Sequence, residues 1–220
     1  DIAVHAGTLA AVVFYFKEDI FRLFRAWLPW TRDRDEDEFL LGLNLIIATI
    51  PIVFVGLLFS DLISERMHSV DSIAWANLIF AGLLLIAFQA SSQSKNILGI
   101  TLGMAIMIGC LQALAVFPGA SRSGMAITGA LLVGLNLKDS SKFAFLLSIP
   151  TILGAIVLML VSEAYVFSMD DLMILLAGFI GSGIIAFLTI GIFLQFVERI
   201  GMIPFVVYRI LLGLILLLVW

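Results

Sequence analysis

Residues 97–137, ILGITLGMAIMIGCLQALAVFPGASRSGMAITGALLVGLNL, decide the fold of this chain. The first half, Ile97–Phe117, is an apolar run of 21 residues, enough to cross a hydrocarbon core roughly 30 Å thick as a helix. The second half, Gly124–Leu135, is followed by the polar NLKDSSK, and its roughly twelve helical residues reach only about 18 Å. Between them stands PGASRS. The economical arrangement is a re-entrant hairpin that enters and leaves on one side, with PGASRS at its tip. Non-helical backbone at that depth is tolerated where it is buried in protein or lines a watery cavity.

The rest of the chain supports a bilayer. Hydrophobic residues make up 62% of it and charged residues 13%, against roughly 45–50% and about 25% in soluble domains. Six further segments read as spans: Ile2–Phe16, Phe39–Phe59, Ile73–Phe88, Ser141–Val161, Leu172–Phe196 and Ile203–Trp220. In lipid the backbone must satisfy its own hydrogen bonds, so these are helices. The fold class expected is an all-α polytopic membrane protein. Cys110 lies in an apolar run and offers neither a disulfide nor a cysteine metal site. The net charge of −4 comes largely from TRDRDEDE (Thr31–Glu38), which reads as a solvated connection, and nothing points to nucleic acid. With no initiator methionine and no basic leader at Asp1, the chain is expected to begin partway into a longer protein.

Charge distribution orients the hairpin. If residues 97–137 return to the side they left, one face receives loops 17–38, 91–96, 136–142 and 197–202. These loops hold Lys17, Arg22, Arg25, Arg32, Arg34, Lys95, Lys138, Lys142 and Arg199. The other face holds Arg66. The positive-inside rule makes the basic face cytoplasmic and puts the C-terminus outside. Three spans, a hairpin and three spans then read as two copies of a unit of hairpin plus three spans. The odd number of crossings inverts the second copy. The first repeat is expected over 1–96 and the second over 97–220, with a first hairpin missing before Asp1. Similarity between the halves is weak, as in NLIFAGLLLI (Asn77–Ile86) beside VYRILLGLIL (Val207–Leu216).

Arg122 at the hairpin tip sits near mid-membrane, where a charge costs from about 2.5–3.5 to 10 kcal/mol or more. Arginine does not escape by losing its proton, and its fork matches phosphate or carboxylate bidentately. Pro118-Gly119 ends one helix, Ser121 or Ser123 can cap the next, and a helix N-terminus favours anions. Thr128 falls on the same face as Ser121. The ligand implied is a polyanion, and phosphate fits best. Each residue has a plainer alternative: a structural salt bridge for Arg122, an N-cap for Ser123, a bond to its own helix for Thr128, turn geometry for Gly119.

Other polar residues carry less. His5 reads as a packed or interfacial group, and His68 as a solvated one in an outer loop. Glu198 and Arg199 read as interfacial, and Arg209 as snorkelling to the cytoplasmic interface. Glu163, Asp170 and Asp171 border an outer loop. No HExxH, Walker or paired-histidine pattern is present.

The stretch LQALAVFPGASRSGMAIT (Leu111–Thr128) resembles the second signature of the undecaprenyl-pyrophosphate phosphatase family, also called the bacitracin-resistance protein. FAFLLSIPTILGA (Phe143–Ala155), RIGMIPFVVYRILLG (Arg199–Gly213) and DIAVHAGTLAAVVFYF (Asp1–Phe16) extend the resemblance over essentially the whole chain. It implies an inverted repeat with two re-entrant hairpins, a cavity open to the periplasm, and dependence on a divalent cation, Mg2+ or Ca2+. The implied activity, in a bacterial plasma membrane, is removal of the terminal phosphate of undecaprenyl pyrophosphate for cell-wall synthesis. Arg122 would clamp the pyrophosphate with Ser121, Ser123 and Thr128 bonding around it, and Gly119, Ala120 and Gly124 would contact the substrate. The partners implied are a polyprenyl diphosphate and the membrane, and a homodimer is compatible. The family's first signature, two glutamates four apart followed by a Ser-Ser-Thr-Gly-His run, is not in this sequence. The metal ligands and the nucleophile or base would lie there, so this chain alone is expected to be inactive. The competing class is a transporter or flippase for an anionic lipid, since broken helices in inverted repeats also build transporters.

Overall fold

The computed structural model describes residues 1–28, 35–66, 69–162 and 169–219, with side chains outside 59–66, 162 and 169–171. These residues form helices α1 (Ile2–Tyr15), α2 (Lys17–Trp27), α3 (Glu36–Arg66), α4 (Val70–Ala90) and α5 (Leu102–Ala113). α6 (Arg122–Leu132), α7 (Leu137–Ser162), α8 (Met169–Ile200) and α9 (Ile203–Val219) follow. No strand is present among the described residues. The fold is an all-α polytopic membrane protein. Arg32, Arg34, His68, Glu163 and Trp220 lie outside the described residues, as do the side chains of Arg66, Asp170 and Asp171.

Four helices are long and apolar enough to cross a bilayer: Glu36–Leu58 in α3, Val70–Ala90, Leu137–Val161 in α7 and Leu172–Ile200 in α8. The other two expected spans are apolar but shorter, 14 residues in α1 and 17 in α9, where a full crossing takes about 20. α1 packs on α7 and α8, and α9 on α4. Large apolar side chains face outward along every long helix, Ile180, Ile185 and Ile192 of α8 among them. Such a surface is stable against lipid tails and not against water.

The acidic loop expected at 31–38 departs most from its reading. α3 starts at Glu36: Asp35 Oδ1 accepts from the N–H groups of Asp37 (3.1 Å) and Glu38 (3.2 Å). Glu36, Asp37 and Glu38 occupy the first turn, where the helix dipole favours carboxylates. Before it, α2 was hidden by its charges. Its Ile20 and Leu23 pack on the core and Ala26 is buried, while Phe21 and Phe24 stay exposed beside Arg22 and Arg25, the layout of an interfacial helix.

Ion pairs gather the basic connections at one end of the bundle. Lys142 Nζ lies 2.7 Å from Asp19 Oδ1, and Arg22 pairs with Asp19 and approaches Glu38 Oε1 at 3.8 Å. Lys138 Nζ meets Glu198 Oε1 at 3.0 Å. At the same end the two feet of the hairpin are fastened together. Lys95 N–H donates to Gly134 O (3.0 Å) and Asn136 N–H to Lys95 O (2.9 Å), forming a single parallel bridge. Asp139 Oδ2 accepts from Ile97 N–H (3.1 Å) and Asn136 Nδ2 (2.9 Å). Segment 97–137 therefore leaves and returns to one place. Its arms pack closely because glycines stand at the contacts. A Cβ on Gly129 would come 3.0 Å from Ile108 Cα, and one on Gly109 would come 2.5 Å from the Ala48 carbonyl oxygen of α3.

A topology experiment follows from the fastened feet. With Cys110 replaced by alanine, single cysteines at Ser92 and Lys138 should both react with a membrane-impermeant thiol reagent from the same side of sealed vesicles. Labelling from opposite sides would exclude the hairpin.

Candidate active site

The tip is a tight turn followed by a capped helix start. Gly119 has φ +92, and a Cβ there would meet the Ile73 carbonyl oxygen at 2.5 Å, so both conformation and space demand glycine. Ala120 is fully buried, with its N–H donated to Phe117 O at 3.1 Å. Ser121 also has positive φ, +69, and its Oγ accepts from Gly124 N–H at 3.3 Å, capping α6. The N–H groups of Arg122 and Ser123, in the first turn, have no intrahelical acceptor.

Two guanidinium groups converge on this turn from opposite sides. Arg122 is half-buried and makes no hydrogen bond or salt bridge with any described residue. Arg209, from α9, is buried at the same turn rather than snorkelling to the cytoplasmic interface. It donates through Nε to Asn77 Oδ1 (2.8 Å) and through Nη2 to Gly119 O (2.7 Å), while Asn77 Nδ2 donates to Arg209 O (2.7 Å). Snorkelling was expected from the distance of Arg209 along α9. Its actual position follows from the face it occupies, which packs on α4, where Asn77 supplies a buried acceptor. The sequence held one signal for this. NLIFAGLLLI carries Asn77 and VYRILLGLIL carries Arg209 beside Tyr208, and polar groups in apolar spans seek one another.

The expected site residues divide accordingly. Ser121, Ser123 and Gly124 line a cavity of about 290 Å³ together with Arg209 and Tyr208. Gly119 lines it too, though its carbonyl is taken by Arg209. A Cβ on Gly124 would stand 3.0 Å from Arg209 Nη1. Arg122 faces away, into a second cavity of about 280 Å³ between α3 and α7. Thr128 is not brought to either. It is fully buried and donates to Gly124 O at 2.7 Å. His5 is half-buried with Nδ1 3.0 Å from Asp1 O, within electrostatic reach of Arg122.

Among the described residues no three His, Cys, Asp or Glu side chains come together to hold a metal. The tip presents guanidinium and hydroxyl groups, and the two guanidinium charges repel a cation. These residues do not fit a divalent ion.

The tip thus presents an arginine with no hydrogen bond or salt bridge among the described residues and two exposed serines at a helix start. Residues 1–215 match the family model described as bacitracin resistance protein BacA. The chain belongs to the BacA family. An undecaprenyl-diphosphatase of Teredinibacter turnerae is 44% identical over 220 residues, covering 98% of this chain and 82% of that protein. One of Saccharophagus degradans is 41% identical over 216 residues, covering 97% of this chain and 80% of its own length. One of Alcanivorax borkumensis is 41% identical over 221 residues, covering 99% and 82%. Within this BacA-family chain, the PGASRS motif is the tip of the re-entrant hairpin.

Replacing Asn77 by leucine removes the acceptor for Arg209 Nε and leaves a buried charge short of a partner. The variant should lose about 2–3 kcal/mol of stability, read as a lowered thermal midpoint in detergent. An unchanged midpoint would mean the pair does not hold the tip.

Proposed function

We propose that the protein is an integral membrane phosphatase that hydrolyses undecaprenyl pyrophosphate to undecaprenyl phosphate and inorganic phosphate, returning the lipid carrier to cell-wall synthesis. The observation that carries this reading is Arg122: a guanidinium at the tip of a re-entrant hairpin with no hydrogen bond or ion pair among the described residues. Arg209 adds a second charge whose described partners, Asn77 and the Gly119 carbonyl, are neutral. Two uncompensated cations in an apolar setting call for a ligand with several negative charges, and a diphosphate supplies them.

In the reaction, water adds to the terminal phosphorus, the anhydride P–O bond breaks, and the lipid monophosphate leaves. Phosphoryl transfer depends chiefly on positioning and on stabilising charge over the phosphoryl oxygens. Arg122 clamps two of these oxygens through its fork. Ser121 and Ser123 line the cavity on the other side of the tip, so the diphosphate straddles the turn for their hydroxyls and the free N–H groups of the α6 start to donate to the remaining oxygens. Gly124 keeps space beside Arg209 Nη1 open for an oxygen, and Gly119 shapes the approach of the backbone. Ala120 contributes its packed position. The Thr128 hydroxyl acts through the Gly124 carbonyl, steadying the first turn of α6 rather than touching substrate.

The two-repeat reading, 1–96 and 97–220, draws support from the packing. Exchange of the halves maps α1 onto α7, α3 onto α8 and α4 onto α9. α1 contacts α7, α4 contacts α9, and the α1–α8 contact has α3–α7 as its image. With the basic end cytoplasmic, the tip is reached from the other side of the plasma membrane, where the C-terminus also lies.

Arg122→Lys keeps the charge and loses the fork, so phosphate release from undecaprenyl pyrophosphate should fall about 100-fold or more. Turnover at the wild-type rate would remove Arg122 from the clamp. A wild-type protein that binds the lipid diphosphate without releasing phosphate would instead favour transport.

A further inference from the structure

The cavity that receives Arg122 is otherwise lined by apolar residues and by Thr151, whose hydroxyl is donated to Leu147 O at 2.8 Å. α3 contributes Ile52, Val53, Gly56 and Leu57, and α7 contributes Gly154 and Ala155. A neighbouring hollow shares Val53 and Leu57 and continues along α3 to Ile46. Ile46 to Leu57 spans about 16 Å of helix.

Two glycines in this groove have no packing reason to be there. At some positions glycine marks a contact too close for a side chain: Gly213 would put a Cβ 2.7 Å from Leu78 Cγ, and Gly109 one 2.5 Å from Ala48 O, whereas Gly82, Gly103 and Gly181 face open space outside this groove. A Cβ on Gly56 meets nothing within 4 Å, and one on Gly154 meets only Val53 Cγ2 at 4.0 Å. Neither has positive φ. Glycine inside a helix is less favourable than alanine, so two glycines facing one empty groove keep it empty. Pro51 and Pro150 sit in the same stretches and each removes a helical hydrogen bond, loosening α3 and α7 where the groove runs.

The groove thus has one cationic end and one long apolar arm open to the bilayer. The cavity on the other side of the tip offers no such arm. Its apolar wall is closed by Phe193 and Phe205, whose rings pack at 4.9 Å, and its arginine is already hydrogen-bonded. We propose that the α3–α7 groove holds the first isoprene units of the substrate's polyprenyl tail while Arg122 at its end holds the diphosphate, with Gly56 and Gly154 as the specificity-determining positions. This rests on the phosphatase reading above.

The test is a graded series, Gly154→Ala, Gly154→Leu and Gly154→Phe, with Gly56→Phe beside it, in the intact protein with undecaprenyl pyrophosphate as substrate. Gly181→Phe is the control, since Gly181 on α8 also faces open space and lines neither cavity. KM should rise with side-chain size, by about tenfold at phenylalanine, the effect of displacing a few buried methylene groups. At the same time kcat should stay within about twofold, as for lost ground-state binding. Inhibition by inorganic pyrophosphate, a headgroup without a tail, should be unchanged, and Gly181→Phe should match wild type. An ungraded KM, a fall in kcat at constant KM, or equal loss of pyrophosphate inhibition overturns the groove assignment. A wild-type protein that releases no phosphate overturns the phosphatase reading instead.

Discussion

Inside a bilayer a peptide group without a partner costs several kcal/mol, and no water is at hand to repair the loss. Pro118 to Ser121 break the helix at that depth, so their carbonyls and N–H groups need partners from somewhere. Local geometry supplies two, the Ala120-to-Phe117 turn bond and the Ser121 cap. The third, the Gly119 carbonyl, is met by Arg209 from a different helix. Arg209 in turn needs Asn77, which lies on α4. One turn in the hairpin therefore fixes the mutual height of α4, α6 and α9, and the geometry of the tip follows from that agreement.

The charges make sense on the same terms. A cation buried among neutral acceptors is tolerable when hydrogen-bonded, and it leaves its field free to act on whatever enters. Had Arg122 or Arg209 been paired with a carboxylate, the pair would have been quieter electrostatically and useless to an anion. Arginine suits the role better than lysine because it keeps its proton and distributes donors over a plane. Arg209 can thus hold the turn with two nitrogens and still turn Nη1 toward Gly124.

Much of this was legible in the residues. A twelve-residue apolar run followed by NLKDSSK was too short to cross, and lysines and arginines crowded one set of loops. Both are consequences of bilayer thickness and charge, which act on composition. The rest depended on which face of a helix meets which neighbour. Arg209 looked interfacial because its distance along α9 was visible and its facing was not. Thr128 lay on the right side of α6 by periodicity, yet its hydroxyl found the Gly124 carbonyl first, a competition short side chains often win in apolar surroundings. α2 was masked by its charges, although Ile20 and Leu23 lie three apart and face the core. The groove between α3 and α7 left no mark in the sequence, since a glycine that fills a close contact and one that keeps a space clear are the same letter.

The bond from Arg209 to the Gly119 carbonyl joins residues 90 positions apart. During synthesis the hairpin is made long before α9, so for that interval its tip has a broken helix and no cation to finish it. The site closes only when α9 arrives beside α4. A chain stalled before α9 carries PGASRS as an unfinished turn, without the Arg209 bond to the Gly119 carbonyl.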